Sequence, residues 1–405
     1  MAAEPIELGT PSTLEWERTL RRELETGGLW TRDTRGPDYA RLRPYGPART
    51  PGFPVYPDLE TRLLRAVRHP DLAIAHALAT CAGYAYSDAE TVSMIMARLG
   101  LEENHCRMVG SSVDAMFIRS TAFLIQSRSG KVAILCYRGT EPTDVVGWMT
   151  DADVMPERMP CRFGDPHATV HAGFYRNVRA TRYEVVSALK RACRGLSVRT
   201  PLPGETGETD VPHMDELEAL YVTGHSLGGA MAAMIAVMLR HERKFSRDGD
   251  LTDRLRAVYT FGQPMLGDPR FTRACGEDAF LRENVIRYVY DSDVVPHLPP
   301  KTSGPYRHFG REFRYEVPNL RHSMLGLTRF LGHPYDARKG GLRETGATGQ
   351  TASFLGGLGL AALAFVGGRV QPLRSLPVVY SFEDHRPQHY ITALTPPGVQ
   401  NEFGD

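Results

Sequence analysis

The sequence predicts an α/β fold in which a mostly parallel sheet is covered by helices on both faces. Apolar segments typical of strands alternate with helical segments along the chain, which favours this architecture. In addition, Gly224-His225-Ser226-Leu227-Gly228 stands between an apolar strand at 217–223 and an alanine-rich helix at 229–239. A serine on such a sharp strand-to-helix turn points outward at the sheet edge, and the flanking glycines give its strained backbone room.

The other elements are predicted in chain order from their apolar periodicity. Helical spacing predicts three helices, at 63–82 with a break at Pro70, at 90–99 and at 177–192. Apolar runs bounded by turn residues predict five further strands, at 120–127, 131–137, 256–261, 284–290 and 311–315. Because these strands alternate with helices, most of them are expected to run parallel.

Composition narrows the classes of protein that the chain can belong to. Its 48 basic and 47 acidic residues give a net charge of +1, so there is no electrostatic reason to expect a nucleic-acid partner. The first residues have neither a basic nor an apolar signal region, and we therefore expect a cytoplasmic protein without a secretory signal peptide. The six cysteines form no C-x-x-C pair, and reduced, buried thiols are expected.

The chain is predicted to consist of one large domain with two flanking segments. Residues 1–55, rich in Pro, Gly and Arg, are expected to form an extension, and residues 396–405 a tail. Within the domain at 56–395, residues 322–377 are interpreted as an insertion.

The insertion contains an uncharged segment, 352–368, which is about the minimum length for a membrane span and includes five glycines. Three interpretations stay open: a surface helix that contacts a membrane or acts as a lid, a buried packing segment, and a true span. A span is the least favoured of the three, because the chain must afterwards return a histidine to the domain.

The serine at the turn needs a histidine as general base and a carboxylate that orients the histidine. In folds with this turn, the acid and then the histidine follow the serine along the chain. Asp291 and Asp293 both follow the strand at 284–290, whose carboxyl end lies at the same edge as Ser226. Asp268 follows the preceding strand, but Gly267-Asp268-Pro269 is more typical of a turn or a helix cap.

Three histidines are candidates for the base. His385 lies in a loop before a short terminal helix, His389 lies one turn further on, and His308 is the least favoured candidate. The order of the triad requires a histidine late in the chain, which favours His385. For the oxyanion, the backbone N–H of Leu227 is the expected first donor. Thr140 follows the strand at 131–137 through Gly139, which permits close approach of the backbone, and is the expected second donor.

Together these residues resemble the class 3 lipase family of α/β hydrolases. The resemblance covers roughly residues 60–395 and rests on five motifs in the family's order, namely Tyr137-Arg138-Gly139-Thr140, Val170-His171-Ala172-Gly173-Phe174, Gly224 to Ala230, Thr260-Phe261-Gly262-Gln263-Pro264 and Asp293 to Pro300. It implies an α/β-hydrolase fold with Ser226 as nucleophile, Asp293 rather than Asp291 as acid, His385 as base, and Thr140 and Leu227 as the oxyanion hole.

The resemblance also implies a short lid after the oxyanion residue. Here that segment is 141–151, with Val145, Val146 and Trp148 as its apolar face. The alternative is an ordinary amphipathic helix that packs over the core. His171 and Arg138 belong to family motifs and are interpreted as architectural. The insertion at 322–377 has no counterpart in the compact fungal enzymes, and it leaves the substrate class open.

The function expected from these features is hydrolysis of lipid esters through an acyl-enzyme on Ser226, without a metal or cofactor. Triacylglycerol, diacylglycerol and position-1 cleavage of phospholipid all remain open, as does acyl transfer to another alcohol. The expected partner is a lipid ester, with peripheral contact to a lipid surface through 352–368. The alternative is a lipase-like scaffold that binds a lipid or a protein partner without turnover.

Overall fold

Helices cover both faces of an eight-stranded sheet in the part of the chain that the structure describes. This computed structural model describes residues 55–67, 69–113, 118–140, 156–159, 165–200, 214–243, 250–299, 301–316, 340–346 and 383–399. The predicted α/β fold with a mostly parallel sheet is confirmed, because five neighbouring strands of that sheet run parallel.

The strands are β1 (His105–Val113), β2 (Ile118–Gln126), β3 (Val132–Tyr137), β4 (Pro156–Arg158), β5 (Thr169–His171), β6 (Ala219–His225), β7 (Leu255–Phe261), β8 (Val285–Tyr290), β9 (Arg311–Glu316) and β10 (Gly341–Thr345). The main sheet has the order β1-β2-β3-β6-β7-β8-β9-β10, and β4 and β5 pair separately. The two edge strands, β1 and β10, run antiparallel to their neighbours, as does β2.

The helices are α1 (Leu59–Arg65), α2 (Leu72–Tyr84), α3 (Ala89–Leu99), α4 (Ala172–Ala192), α5 (Leu227–Arg243), α6 (Asp250–Arg254), α7 (Pro269–Glu277), α8 (Ala279–Asn284) and α9 (Pro387–Leu394). The predicted break at Pro70 separates α1 from α2, whose first turn is capped by the Asp71 carboxylate. No described helix combines the length and the apolarity that a bilayer crossing requires.

Successive side chains of β6 point alternately to the two faces of the sheet and are all apolar or buried, which explains why helices are needed on both faces. Leu220 and Val222 belong to a core formed with α4 and α5, whereas Ala219 and Tyr221 belong to a second core formed with α1, α2, α3 and α9. Side chains of successive strand residues point to opposite faces, so a strand that is apolar throughout must be buried on both sides. This continuous apolar pattern is what identified the central strands in the sequence.

Parallel pairing brings the carboxyl ends of β3, β6, β7 and β8 to one edge of the sheet. Tyr137 pairs with Gly224, and His225 pairs with Phe261, so these strands end almost level with each other. The loops that leave this edge, which we call the carboxyl edge, carry Gly139, Ser226, Gly262 and Asp293. Loops at the carboxyl ends of parallel strands are the usual place for a site in open α/β sheets.

Several predicted features fall outside the described residues. These are most of the extension at 1–55, the segment with Val145, Val146 and Trp148, the apolar segment 352–368, most of the insertion at 322–377, the tail from 400 onward, and Cys161. The other five cysteines are buried and carry free thiols. Strand β10 lies within the predicted insertion and was not predicted.

Candidate active site

Ser226 occupies the sharp turn between β6 and α5. Its φ is +59°, a left-handed conformation that is strained for a residue with a side chain. The turn is held because the Ser226 N–H donates a 2.9 Å hydrogen bond to the Phe261 carbonyl at the end of β7. A Cβ at Gly224 would lie 2.3 Å from the Gly228 carbonyl oxygen, so glycine is required where the strand and the helix cross.

Asp293 is fully buried just beyond β8, and its carboxylate accepts three hydrogen bonds. The Val295 N–H donates to Oδ1 over 2.8 Å. Oδ2 accepts from His385 Nδ1 over 2.8 Å and from the Tyr390 hydroxyl over 2.5 Å. A buried carboxylate requires such donors, because burial removes it from water. Asp291, by contrast, has a φ of +36°, and its backbone N–H donates a hydrogen bond to the Tyr315 carbonyl.

His385 lies in a short 3-10 turn, Glu383–His385, immediately before α9. Its Nδ1 faces Asp293, and its Nε2 is buried without a hydrogen-bond partner among the described residues. The Ser226 hydroxyl therefore does not bond to this nitrogen in the structure, and the hydrogen bonds of catalytic residues are often long or poorly aligned when no substrate is bound. The ring lies against Gly262, which directly follows the residue that anchors Ser226.

The other candidate residues have different surroundings. The His389 ring stacks on Tyr290 at 5.1 Å between centroids. His308 Nε2 bonds to the Pro296 carbonyl over 2.7 Å, and burial, reinforced by the Arg287 charge, holds its pKa well below the usual range. Asp268 caps α7, accepting from the Phe271 N–H over 2.8 Å. In the described ranges, no three His, Cys, Asp or Glu side chains are arranged to hold a metal ion.

The backbone that leaves β3 passes directly over Ser226. A Cβ at Gly139 would lie 2.5 Å from the His225 carbonyl oxygen and 3.2 Å from the Ser226 Cβ. Thr140 is the next residue, and Leu227 begins α5 on the other side of the serine. Backbone N–H groups at the start of a helix and in a close loop are suited to stabilising a developing oxyanion.

Arg138 and His171, interpreted from the sequence as architectural, are both engaged away from Ser226. Arg138 donates to the carbonyls of Ala85 and Ser87. The buried His171 ring stacks on Phe174 at 4.1 Å between centroids, and burial lowers its pKa to about 3. His171 is therefore neutral near pH 7.

Gly262 packs against the candidate base and the candidate acid, a contact that was not identified from the sequence. Its φ is +61°, and a Cβ there would lie 2.8 Å from His385 Nδ1 and 2.9 Å from Asp293 Oδ2. The motif Thr260-Phe261-Gly262-Gln263-Pro264 drew attention to this loop, but nothing in the pattern indicated which side chains would pack on the glycine.

Replacement of Gly262 by alanine is expected to lower kcat at least tenfold, because the new methyl group displaces His385 and Asp293 from each other. Steady-state kinetics on a soluble ester measures this loss. Gly276→Ala is the matched control, since a Cβ at Gly276 has no neighbour within 4 Å, and it is expected to leave kcat unchanged. If Gly262→Ala and Gly276→Ala had the same kcat, the close contact of Gly262 with His385 and Asp293 would have no role in activity.

Residues 134–303 match the family model described as Lipase (class 3). A lipase from Rhizomucor miehei is 26% identical over 293 residues, which cover 67% of this chain and 71% of that protein. Triacylglycerol lipase OBL1 from Nicotiana tabacum is 40% identical over 245 residues, covering 45% of this chain and 41% of that protein. The chain thus spans less than half the length of this plant relative.

Among solved structures, the crystal structure of a lipase from Rhizopus microsporus var. chinensis is similar, with a TM-score of 0.46 and 18% identity. The similarity covers 78% of this chain and 85% of that one.

Proposed function

We propose that this chain is a serine ester hydrolase of the class 3 lipase type and that it cleaves lipid esters through an acyl-enzyme on Ser226. The observation that carries the proposal is the buried Asp293–His385 hydrogen bond at the edge of the sheet where Ser226 stands on its turn. A nucleophile, a base and a group that orients the base are thereby supplied by three separate loops.

In the first half of the reaction, the Ser226 oxygen attacks the acyl carbonyl and His385 Nε2 takes the serine proton. The Asp293 carboxylate holds Nδ1 and stabilises the imidazolium that forms. The backbone N–H groups of Thr140 and Leu227 stabilise the negative oxygen of the tetrahedral intermediate. When the intermediate collapses, His385 returns the proton to the leaving alcohol, and the acyl group remains on Ser226.

In the second half, water takes the place of the alcohol. His385 removes a proton from the water, which attacks the acyl-enzyme, and the collapse of this second intermediate releases the fatty acid and regenerates the serine hydroxyl. The same acyl-enzyme passes its acyl group to another alcohol when that alcohol replaces water. No step requires a metal or an organic cofactor.

Tyr390 keeps the acid in place throughout this cycle. Burial, followed by the neighbouring Asp293 charge, holds the pKa of Tyr390 well above its ordinary value, so the phenol stays protonated and donates to Asp293. The same oxygen accepts from the Tyr290 N–H over 3.1 Å. The carboxylate is therefore fixed from α9 as well as from its own loop, and such fixed dipoles support preorganisation of the charged site.

Acylglycerols are the substrate class that we propose first. The support comes from the relatives, one named a lipase and one named a triacylglycerol lipase. We further propose that Val145, Val146 and Trp148 form an apolar lid and that segment 352–368 contacts the lipid surface peripherally. These last proposals rest on the apolar composition of the two segments.

A substrate panel tests the proposed class. Purified protein is offered emulsified triacylglycerol, diacylglycerol, phosphatidylcholine vesicles and p-nitrophenyl butyrate, with Ser226→Ala as the blank. We expect serine-dependent release of fatty acid that is fastest on acylglycerols. Faster release from position 1 of the phospholipid would reassign the substrate, and no release from any ester by folded protein would favour the non-catalytic scaffold.

Replacing 352–368 by a glycine-serine segment of equal length is expected to reduce hydrolysis of emulsified acylglycerol at least fivefold more than hydrolysis of p-nitrophenyl butyrate. An apolar segment that contacts lipid adds binding only at an interface, whereas a soluble ester does not need it. The ratio of the two rates is the measurement. Equal losses on both substrates would indicate that the segment packs within the domain instead.

A further inference from the structure

His225, the residue directly before the nucleophile, connects the backbone of the base to a tyrosine. It is the last residue of β6 and is buried, and its Nε2 lies 2.7 Å from the His385 carbonyl oxygen. Its Nδ1 lies 2.9 Å from the Tyr86 hydroxyl. Since a carbonyl oxygen only accepts, Nε2 carries the proton and donates, and Nδ1 of the neutral ring accepts from Tyr86.

The His225 ring also packs against the ring of the base. The two ring centroids are 4.5 Å apart, with an interplanar angle of 33°. Burial, followed by the charge of a protonated His385, holds the pKa of His225 well below its ordinary value. His225 therefore stays neutral and does not repel the imidazolium that His385 becomes during catalysis.

Tyr86 is itself fixed in place by the loop that leaves β3. The Arg138 guanidinium donates to the carbonyls on both sides of Tyr86, those of Ala85 and Ser87. A Cβ at Gly139 would lie 2.2 Å from the Tyr86 hydroxyl oxygen, so the phenol packs directly under the backbone that precedes Thr140. Tyr86 thus links the oxyanion side of the site to His225.

The base needs such support because no sheet strand carries it. His385 lies in a 3-10 turn, 160 residues beyond His225 in the chain, and the sheet alone does not set its distance from Ser226. The hydrogen bond to Asp293 fixes the His385 ring, whereas the bond from His225 fixes the His385 backbone. Because His225 and Ser226 are adjacent, this second bond ties the backbone of the base to that of the nucleophile.

We propose that His225 and Tyr86 are positioning residues that hold the His385 backbone at its working distance from Ser226 and couple it to the oxyanion loop. Neither residue exchanges a proton with substrate in this role. The proposal rests on the serine hydrolase function proposed above. It predicts an effect on kcat rather than on KM. Loss of the bond impairs the transition state, in which the Ser226–His385 distance matters most, while substrate binding is left nearly unchanged.

The test compares variants of the full-length protein on p-nitrophenyl butyrate. His225→Phe keeps a flat ring but removes the donor, and we expect kcat to fall about 30-fold with KM within about twofold. His225→Gln retains an N–H that reaches the His385 carbonyl and is expected to restore at least about a third of the activity. Tyr86→Phe is expected to lower kcat about fivefold, and the matched control Tyr84→Phe to leave it within about twofold.

A second readout separates this proposal from the proposed function. A p-nitrophenyl phosphonate reacts covalently with an activated serine, and its rate of incorporation into each folded variant is expected to follow kcat. If His225→Phe reacts as fast as wild type, or if His225→Gln and His225→Phe are equally slow, the positioning role is overturned. A wild-type protein that takes up no phosphonate would instead contradict the serine hydrolase function. Should His225→Phe not fold, His225→Gln and Tyr86→Phe decide between these outcomes.

Discussion

Replacement of Ser226 by alanine is expected to lower kcat for ester hydrolysis by roughly 10⁴- to 10⁶-fold, the range seen when the nucleophile of a serine triad is removed. The variant has no oxygen with which to form the acyl-enzyme, so only substrate binding and the oxyanion donors remain. The turn itself should persist, because the Ser226 backbone N–H, which bonds to Phe261, is retained in alanine.

Rates of p-nitrophenyl butyrate hydrolysis and thermal melting curves together measure this effect. We expect the melting temperature of Ser226→Ala to stay within a few degrees of wild type, because the change removes a single hydroxyl and keeps the backbone hydrogen bond to Phe261. Ser187→Ala, on helix α4, is the matched serine control and should retain full activity. Turnover by Ser226→Ala within tenfold of wild type would remove Ser226 from the mechanism.

Replacement of His385 by alanine is expected to be nearly as damaging, with a loss of roughly 10³- to 10⁵-fold in kcat. Without the imidazole the Ser226 hydroxyl keeps its proton, and the buried Asp293 carboxylate loses one of its three donors. Because residues of one triad act as a unit, the double variant with Ser226→Ala should be little worse than either single variant.

His389→Ala is the control for this experiment, since it removes a histidine four residues away on the adjoining helix. Its ring stacks on Tyr290 and makes no hydrogen bond to Asp293, so we expect kcat to change less than about threefold. Added imidazole should restore part of the activity of His385→Ala and none to Ser226→Ala. A severe loss in His389→Ala together with an active His385→Ala would move the base to α9.

The turn that carries Ser226, the candidate nucleophile, could be predicted from the sequence because its signal is local. An apolar strand, a short glycine-flanked turn and an alanine-rich helix are contiguous from 217 to 239, so no long-range contact is needed to recognise the turn. The candidate acid is different, since the spacing left both Asp291 and Asp293 possible. In the structure the two differ through tertiary contacts: Asp291 is bonded to Tyr315 of β9, whereas Asp293 faces His385 and Tyr390.

The supporting residues of the site could not be predicted. The bonds of His225 to Tyr86 and to His385 join residues that are 139 and 160 positions apart, and no periodicity marks such contacts. The edge strands β1 and β10 were not predicted for the same reason, since long-range contacts define them. β1 contains Arg107, Gly110 and two serines, and β10 is almost entirely exposed, so hydrogen bonding to a neighbour rather than an apolar pattern defines them.

The most direct test of the central claim, that Ser226 carries the acyl group, is to trap the intermediate. Wild-type protein is mixed with excess p-nitrophenyl butyrate, quenched in acid during turnover, digested and mapped by mass spectrometry. We expect a single butyryl group on the peptide that contains Ser226, absent from Ser226→Ala and from His385→Ala quenched at the same time. Butyrylation of a different residue, or rapid turnover with no acylated peptide at any quench time, would contradict the mechanism.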